Sequence, residues 1–553
     1  MAREWVKRSV LAAACAAALC MAGCHADDND PKGQSEELQD PVRREHAITR
    51  LQSIWNTLLS EAKGDKKAKP IVEFCDITVE NITKAYLDHP EDSVNRLKML
   101  GLLQEMLDPR SLPVMMDALN WTAEVSEDHA ILAARAVSKM DLPDADRGKA
   151  VEAIAKALEK VSGPRPLDNR LRQAFIDALG VFKDKRATDV LVKVALSQES
   201  DQNFLFNILA AQQLEKIADP KSVPDLIKML YLSDPANPAM RMNDVAASAL
   251  VAIGKPALQP MIDTLQGKNK EANELVKLYI DSIRQKDSQA AAKLKTPNIV
   301  SAEATYTLGK LGYREALQPL IDETKNEDVE RAYSAALALI GINRKDEDTK
   351  PIVDAMISVY ERSDKQQRPQ MLVAMRHLYA DEIMPFLFKI AETTETELPP
   401  IQMYGFVSYA MLADKAEAKK LPAIIEKEEL IRPQLKEYEP AIKAAEECDR
   451  DIKCWEGKLQ DKDTIVARKA ANMLARLARG NDEATSKVVE LFGHEDLEVR
   501  NEALYAVDYM AVKGSKAAVD KIDQLEAAEG GRSIWNNFKR EALPGRARIA
   551  ARK

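Results

Sequence analysis

One short phrase recurs along this chain and limits what it can fold into. It pairs two small or apolar residues, skips two positions and ends on an apolar residue before glycine. It reads Ala249-Leu250-x-x-Ile253-Gly254, then Thr307-Leu308-x-x-Leu311-Gly312, then Ala336-Leu337-x-x-Ile340-Gly341. Looser copies stand at Leu102-Leu103, Ala136-Val137, Ala178-Leu179 and Gln213-Leu214. Others follow at Ala374-Met375, Tyr409-Ala410, Met473-Leu474 and Ala506-Val507. Apolar residues three or four apart share one helix face. Most copies lie ~35 residues apart, the length of two helices and their turns. A lone hairpin leaves its apolar face wet, and stacking the next one buries it. A chain of 553 residues is also too long for one compact core.

Proline marks the second helix of each pair. It occurs in Leu112-Pro113, Val223-Pro224, Gln259-Pro260, Gln318-Pro319, Lys350-Pro351, Met384-Pro385 and Leu421-Pro422. A first helical turn tolerates proline, because the missing N–H would have no partner there. In the clearest copy, Asp496 precedes Val499-Arg500, and Val499, Ala503, Ala506, Val507 and Met510 lie along one face. Asp328-Val329-Glu330-Arg331 leads into the copy at Ala336. The pattern resembles HEAT repeats of the armadillo-like superfamily, over about residues 90–528. The resemblance implies an all-α, right-handed α-solenoid of stacked HEAT-like hairpins, with about eleven or more units. Leu250, Leu337 and Ile340 are then expected to fill the layers between units.

Departures from the repeat divide the chain. Residues 45–89 read as an N-terminal helical cap, with Cys75 as a buried apolar residue. Repeats are expected over 90–265, 298–427 and 462–528. Residues 266–297 read as an atypical helical unit or a linker that splits the solenoid into halves. Residues 428–461 form an irregular helical insertion, where Cys448 and Cys454 suit a disulfide closed through a turn at Asp449-Arg450-Asp451. Residues 529–553 read as a basic C-terminal tail, with Trp535 and Phe538 docking on the last repeat.

The N-terminus reads as an address. Arg3, Lys7 and Arg8 precede an apolar run from Val10 to Ala22 that is too short to span a bilayer. Met21-Ala22-Gly23-Cys24 resembles the end of a bacterial lipoprotein signal peptide, residues 1–23. That resemblance implies lipidation at Cys24 and anchoring at the periplasmic face of the outer membrane, while the polar stretch 24–44, with Pro31, Gly33 and Pro41, reads as a flexible tether. Periplasmic soluble or inner-membrane-anchored forms are the alternatives.

The chain carries 79 basic and 88 acidic side chains, a net charge of −9, which argues against broad nucleic-acid binding. Its six histidines make no H-x-x-H pair, and no phosphate loop or Gly-x-Ser-x-Gly elbow occurs. No catalytic residue, cofactor or metal site is therefore expected. The expected role is a lipid-anchored scaffold that binds an unidentified envelope protein. The alternative is a tetrapyrrole- or other ligand-handling protein, which a deep pocket joining several repeats would favour.

Overall fold

The computed structural model describes residues 27–120, 127–198, 202–393 and 398–552. Lipidation at Cys24 and the signal read over 1–23 lie outside them. The described residues are helical throughout, and their one extended pairing is an isolated bridge between Ser233 and Arg241. Successive helices pair and stack as HEAT-like hairpins. The chain divides into two compact units: Met1–Val190 with Glu199–Leu209, and Leu191–Gln198 with Ala210–Lys553.

The first unit opens with α1 (Pro31–Glu37), α2 (Arg44–Glu61), α3 (Lys69–Asp88) and α4 (Ser93–Met106). Part of the stretch read as a tether is therefore a packed helix. Asp30 accepts hydrogen bonds from the amides of Lys32 and Gly33, and Pro31 opens α1. The polar composition that suggested a tether is buried in hydrogen bonds: Gln34 and Ser35 are enclosed, and Asn81 donates to Ser35 Oγ at 2.9 Å. Arg44, also buried, pairs with Asp92 at 2.8 Å. Trp55 of α2 packs on Phe74 of α3 and donates to Glu105 at 2.8 Å. Cys75 is buried beside them, and burial pushes its thiol up to about 11.

In the second unit the helices central to the site are α5 (Asn243–Ile253), α6 (Lys270–Lys286), α7 (Thr296–Leu311), α8 (Val329–Ala338) and α9 (Arg368–Arg376). They continue with α10 (Glu439–Cys448), α11 (Ile452–Lys458), α12 (Thr464–Leu477), α13 (Leu497–Met510) and α14 (Ser533–Ala551). The repeat aspartates are helix caps: Asp496 accepts from the amides of Glu498 and Val499, and Asp328 from that of Glu330. Arg500 reaches Glu529 at 2.6 Å and so ties its helix to the end of the one that follows, Lys516–Glu529. Val499, Ala503, Ala506, Val507 and Met510 are wholly buried.

Pro113, Pro224, Pro385 and Pro422 occupy first helical turns. Pro260 departs from the pattern, since it lies inside the helix Lys255–Leu265, whose first turn holds Pro256. Helix α6 packs on α7 and on Val223–Met229, so the stack runs on through 266–297 instead of breaking there.

The C-terminal stretch is not a tail. From Ser533 to Ala551 it is helix α14, with Trp535, Phe538, Ala542 and Ile549 buried. Arg548 and Arg552 find a buried carboxylate, Asp508, which the basic composition of this stretch could not show. Helix α14 packs on its neighbour α13 and also on α5 and α7, far upstream.

Candidate functional site

The return of α14 walls a half-open cavity of about 650 Å³ in the second unit. Side chains from α5, α7, α8, α9, α13 and α14 line it, with Arg479 from the turn after α12. That size falls in the range of small-molecule sites. Leu337 and Ile340 line it and are only half-buried. This corrects their expected place between repeat layers, which Leu250 does occupy. Helix periodicity gives the apolar face but not whether a neighbour or a cavity lies against it.

Glycines bring the floor together. A Cβ on Gly341 would strike the carbonyl of Gly309, and one on Gly309 would lie 3.0 Å from Ala338 Cα. The glycine closing the repeat phrase thus permits backbone contact under the cavity. Gly312, at φ +70°, accepts a hydrogen bond from the Asn343 amide at 2.9 Å through its carbonyl.

Charged and aromatic groups form the walls. Lys310 of α7 pairs with Glu541 of α14. Burial lowers the Lys310 pKa, and Glu541 opposes that shift. Arg548 and Arg552 share Asp508, each at 2.6 Å. Burial favours the neutral acid at Asp508, yet the two guanidiniums hold its carboxyl below the usual range. His377 stacks on Tyr505 with ring centroids 4.5 Å apart. Its Nε2–H donates to Glu502 at 3.2 Å, and Arg376 also pairs with Glu502. Burial resists ionisation of Glu502, but Arg376 and His377 keep it well below the usual carboxylate range. Burial likewise lowers the His377 pKa and pushes the Tyr306 phenol up to about 12.

Arg344 and Arg479 both stack on the Tyr509 ring, at 4.6 and 4.8 Å from its centroid. Arg344 Nη2 donates to the Leu378 carbonyl, while its Nε has no hydrogen-bond partner. Burial lowers its pKa.

The sequence did not single out this cluster. Tyr306, Arg344, Tyr505 and Tyr509 sit in ordinary repeat helices and turns, and only three-dimensional closure makes them neighbours. The cysteine pair stands apart from the cavity. Cys448 and Cys454 are disulfide-bonded, with Cα atoms 5.3 Å apart, across a turn where Asp449 has φ +50°. Trp455 is buried over this turn and donates to the Asp449 carbonyl at 2.8 Å. Among the described residues, no group of three or more His, Cys, Asp or Glu side chains is placed to hold a metal ion. No described helix is long and apolar enough to cross a membrane.

Stacked helical hairpins make this an all-α protein of the HEAT-like solenoid class. No family model and no curated protein matches the chain. Among solved structures it is similar to Kap121p bound to Nup53p, at 12% identity and a TM-score of 0.41, covering 92% of this chain and 52% of that one. Kap121p alone gives 11% identity and a TM-score of 0.41, over 94% of this chain and 53% of the other. Kap95p with RanGDP gives 12% identity and a TM-score of 0.32, over 94% and 84%. The chain thus spans about half the length of the Kap121p chains it matches. At these scores the likenesses carry nothing about partner or activity.

The N-terminal reading is corrected here. No comparison and no described residue brings support for a lipoprotein or for a protein of the periplasm or outer membrane. Lipoprotein, signal peptide, palmitate, periplasm and outer membrane are therefore withdrawn as descriptions of this protein. They rested on a short residue order ending at Cys24, which lies outside the described residues.

Proposed function

We propose that this chain is a non-catalytic HEAT-like scaffold that binds a partner protein in an oxidising compartment. The stacking of two-helix units carries the binding reading, since such stacks hold long surfaces in fixed register. The Cys448–Cys454 disulfide supports the compartment, because cytosolic thiols are kept reduced. Crosslinking in intact cells, followed by affinity capture and mass spectrometry, is expected to return one reproducible partner. Recovery of a free monomer in repeated captures would count against it. Alkylation of acid-quenched cells is expected to leave Cys448 and Cys454 unlabelled, and labelling of both would remove the compartment assignment.

A specific observation favours a second, ligand-binding role. The cavity joins side chains from several repeats, including α5, α7, α8, α9 and α13. No residue in it singles out a tetrapyrrole.

A further inference from the structure

This inference rests on the ligand-binding reading of the cavity. Its floor is apolar, with Leu337, Ile340 and Val373 presented from α8, the turn after it and α9. Its wall has more cations than enclosed carboxylates. Arg344 is only 3% exposed, and among the described residues it forms no ion pair with a carboxylate. Arg479 shares the Tyr509 ring with it and pairs with Asp346, whose side chain is 94% exposed. One buried carboxylate, Asp508, serves both Arg548 and Arg552.

The other acids lining the cavity do not answer Arg344. Glu541 is engaged by Lys310, and Glu303 by Arg241 at 2.8 Å. Asp244 is exposed near the start of α5. A buried cation without a counter-ion is costly, and an incoming anion removes that cost. Guanidinium groups match the planar or tetrahedral oxygens of carboxylate and phosphate.

We propose that this cavity binds a small organic oxyanion, its carboxylate or phosphate head against Arg344 and its apolar body over Leu337, Ile340 and Val373. Calorimetric titration of the full, disulfide-bonded chain with octanoate, octyl phosphate, octanol and octylammonium tests this. One or both anions are expected to bind about tenfold or more tightly than octanol, and octylammonium weakest. Arg344→Gln is expected to erase that preference while leaving octanol affinity within about twofold. Ile340→Trp, which fills the floor, is expected to weaken all the probes.

Octanol binding as tightly as the anions overturns the oxyanion assignment and leaves the ligand-binding reading standing. Absence of binding by every probe overturns both. Should Arg344→Gln melt early, Arg479→Gln reads the same head group through the second guanidinium on the Tyr509 ring. An anion preference that survives in both variants overturns the assigned head-group site.

Discussion

At the scale of single residues, Lys469 shows how far the interior overrides a side chain's usual state. It is wholly buried in α12, donates to the carbonyls of Ala410 and Ala413 at 2.5 and 2.8 Å, and lies 5.6 Å from the Trp455 ring centroid. Burial, with Arg476 adding, pushes its pKa down to about 7. The unfolded chain holds that proton up to about pH 10.4. Below about pH 7 both states are charged, and the full cost of burying the ammonium is present. Between the two values the unfolded state binds more protons, so stability rises with pH. Relative to Lys469→Met, the wild type is expected to gain about 1.4 kcal/mol per pH unit between roughly pH 8 and 9.5, read by urea unfolding. A constant difference across that range would mean that Lys469 keeps its proton in the fold. In the sequence Lys469 reads only as a polar residue among alanines, since enclosure by distant carbonyls leaves no local mark.

At the scale of elements, the same repeat phrase does two jobs. Leu250 is wholly buried between helices, whereas its counterpart Leu337 is half-buried at the cavity. Leu250→Ala is expected to cost about 2–5 kcal/mol, because a filled site becomes a void. Leu337→Ala is expected to cost less than about 1 kcal/mol, since the space beside it is already open. Thermal melts of the two variants decide this, and equal losses would place Leu337 in the packed layer after all. Helices and most second-helix prolines were legible because each depends on residues within a turn or two, whereas the capping role of Asp496 was not read although its partners are its own neighbours. The apolar face of α13 was legible for the same reason. What faces a helix depends on the next hairpin, so Leu250 and Leu337 look alike in one dimension. The polar segment at Gln34 and Ser35 misled for a related reason, because its hydrogen-bond partners include Asn81.

At the scale of the molecule, closure of the second unit is the property that no local pattern contained. Lys310 and Glu541 pair across 231 positions, and Arg376 and Glu502 across 126. Each repeat adds a rotation set by its side-chain packing, and only the accumulated rotation decides whether α14 returns to α5 and α7. Where it does return, Glu541, Arg548 and Arg552 complete one wall of a half-open cavity. Asp508 is central to that closure, as the enclosed carboxylate between Arg548 and Arg552. Asp508→Asn leaves two buried guanidiniums without their counter-ion and is expected to cost about 3–5 kcal/mol. Asp523→Asn removes the partner of Arg546 at a solvent-exposed pair and is expected to cost less than about 1 kcal/mol. Denaturant unfolding of both variants separates buried from exposed pairing on the same helix. Equal losses would show that burial adds nothing to the Asp508 pairing and that apolar contacts such as Phe492 with Phe538, ring centroids 6.0 Å apart, hold α14 in place.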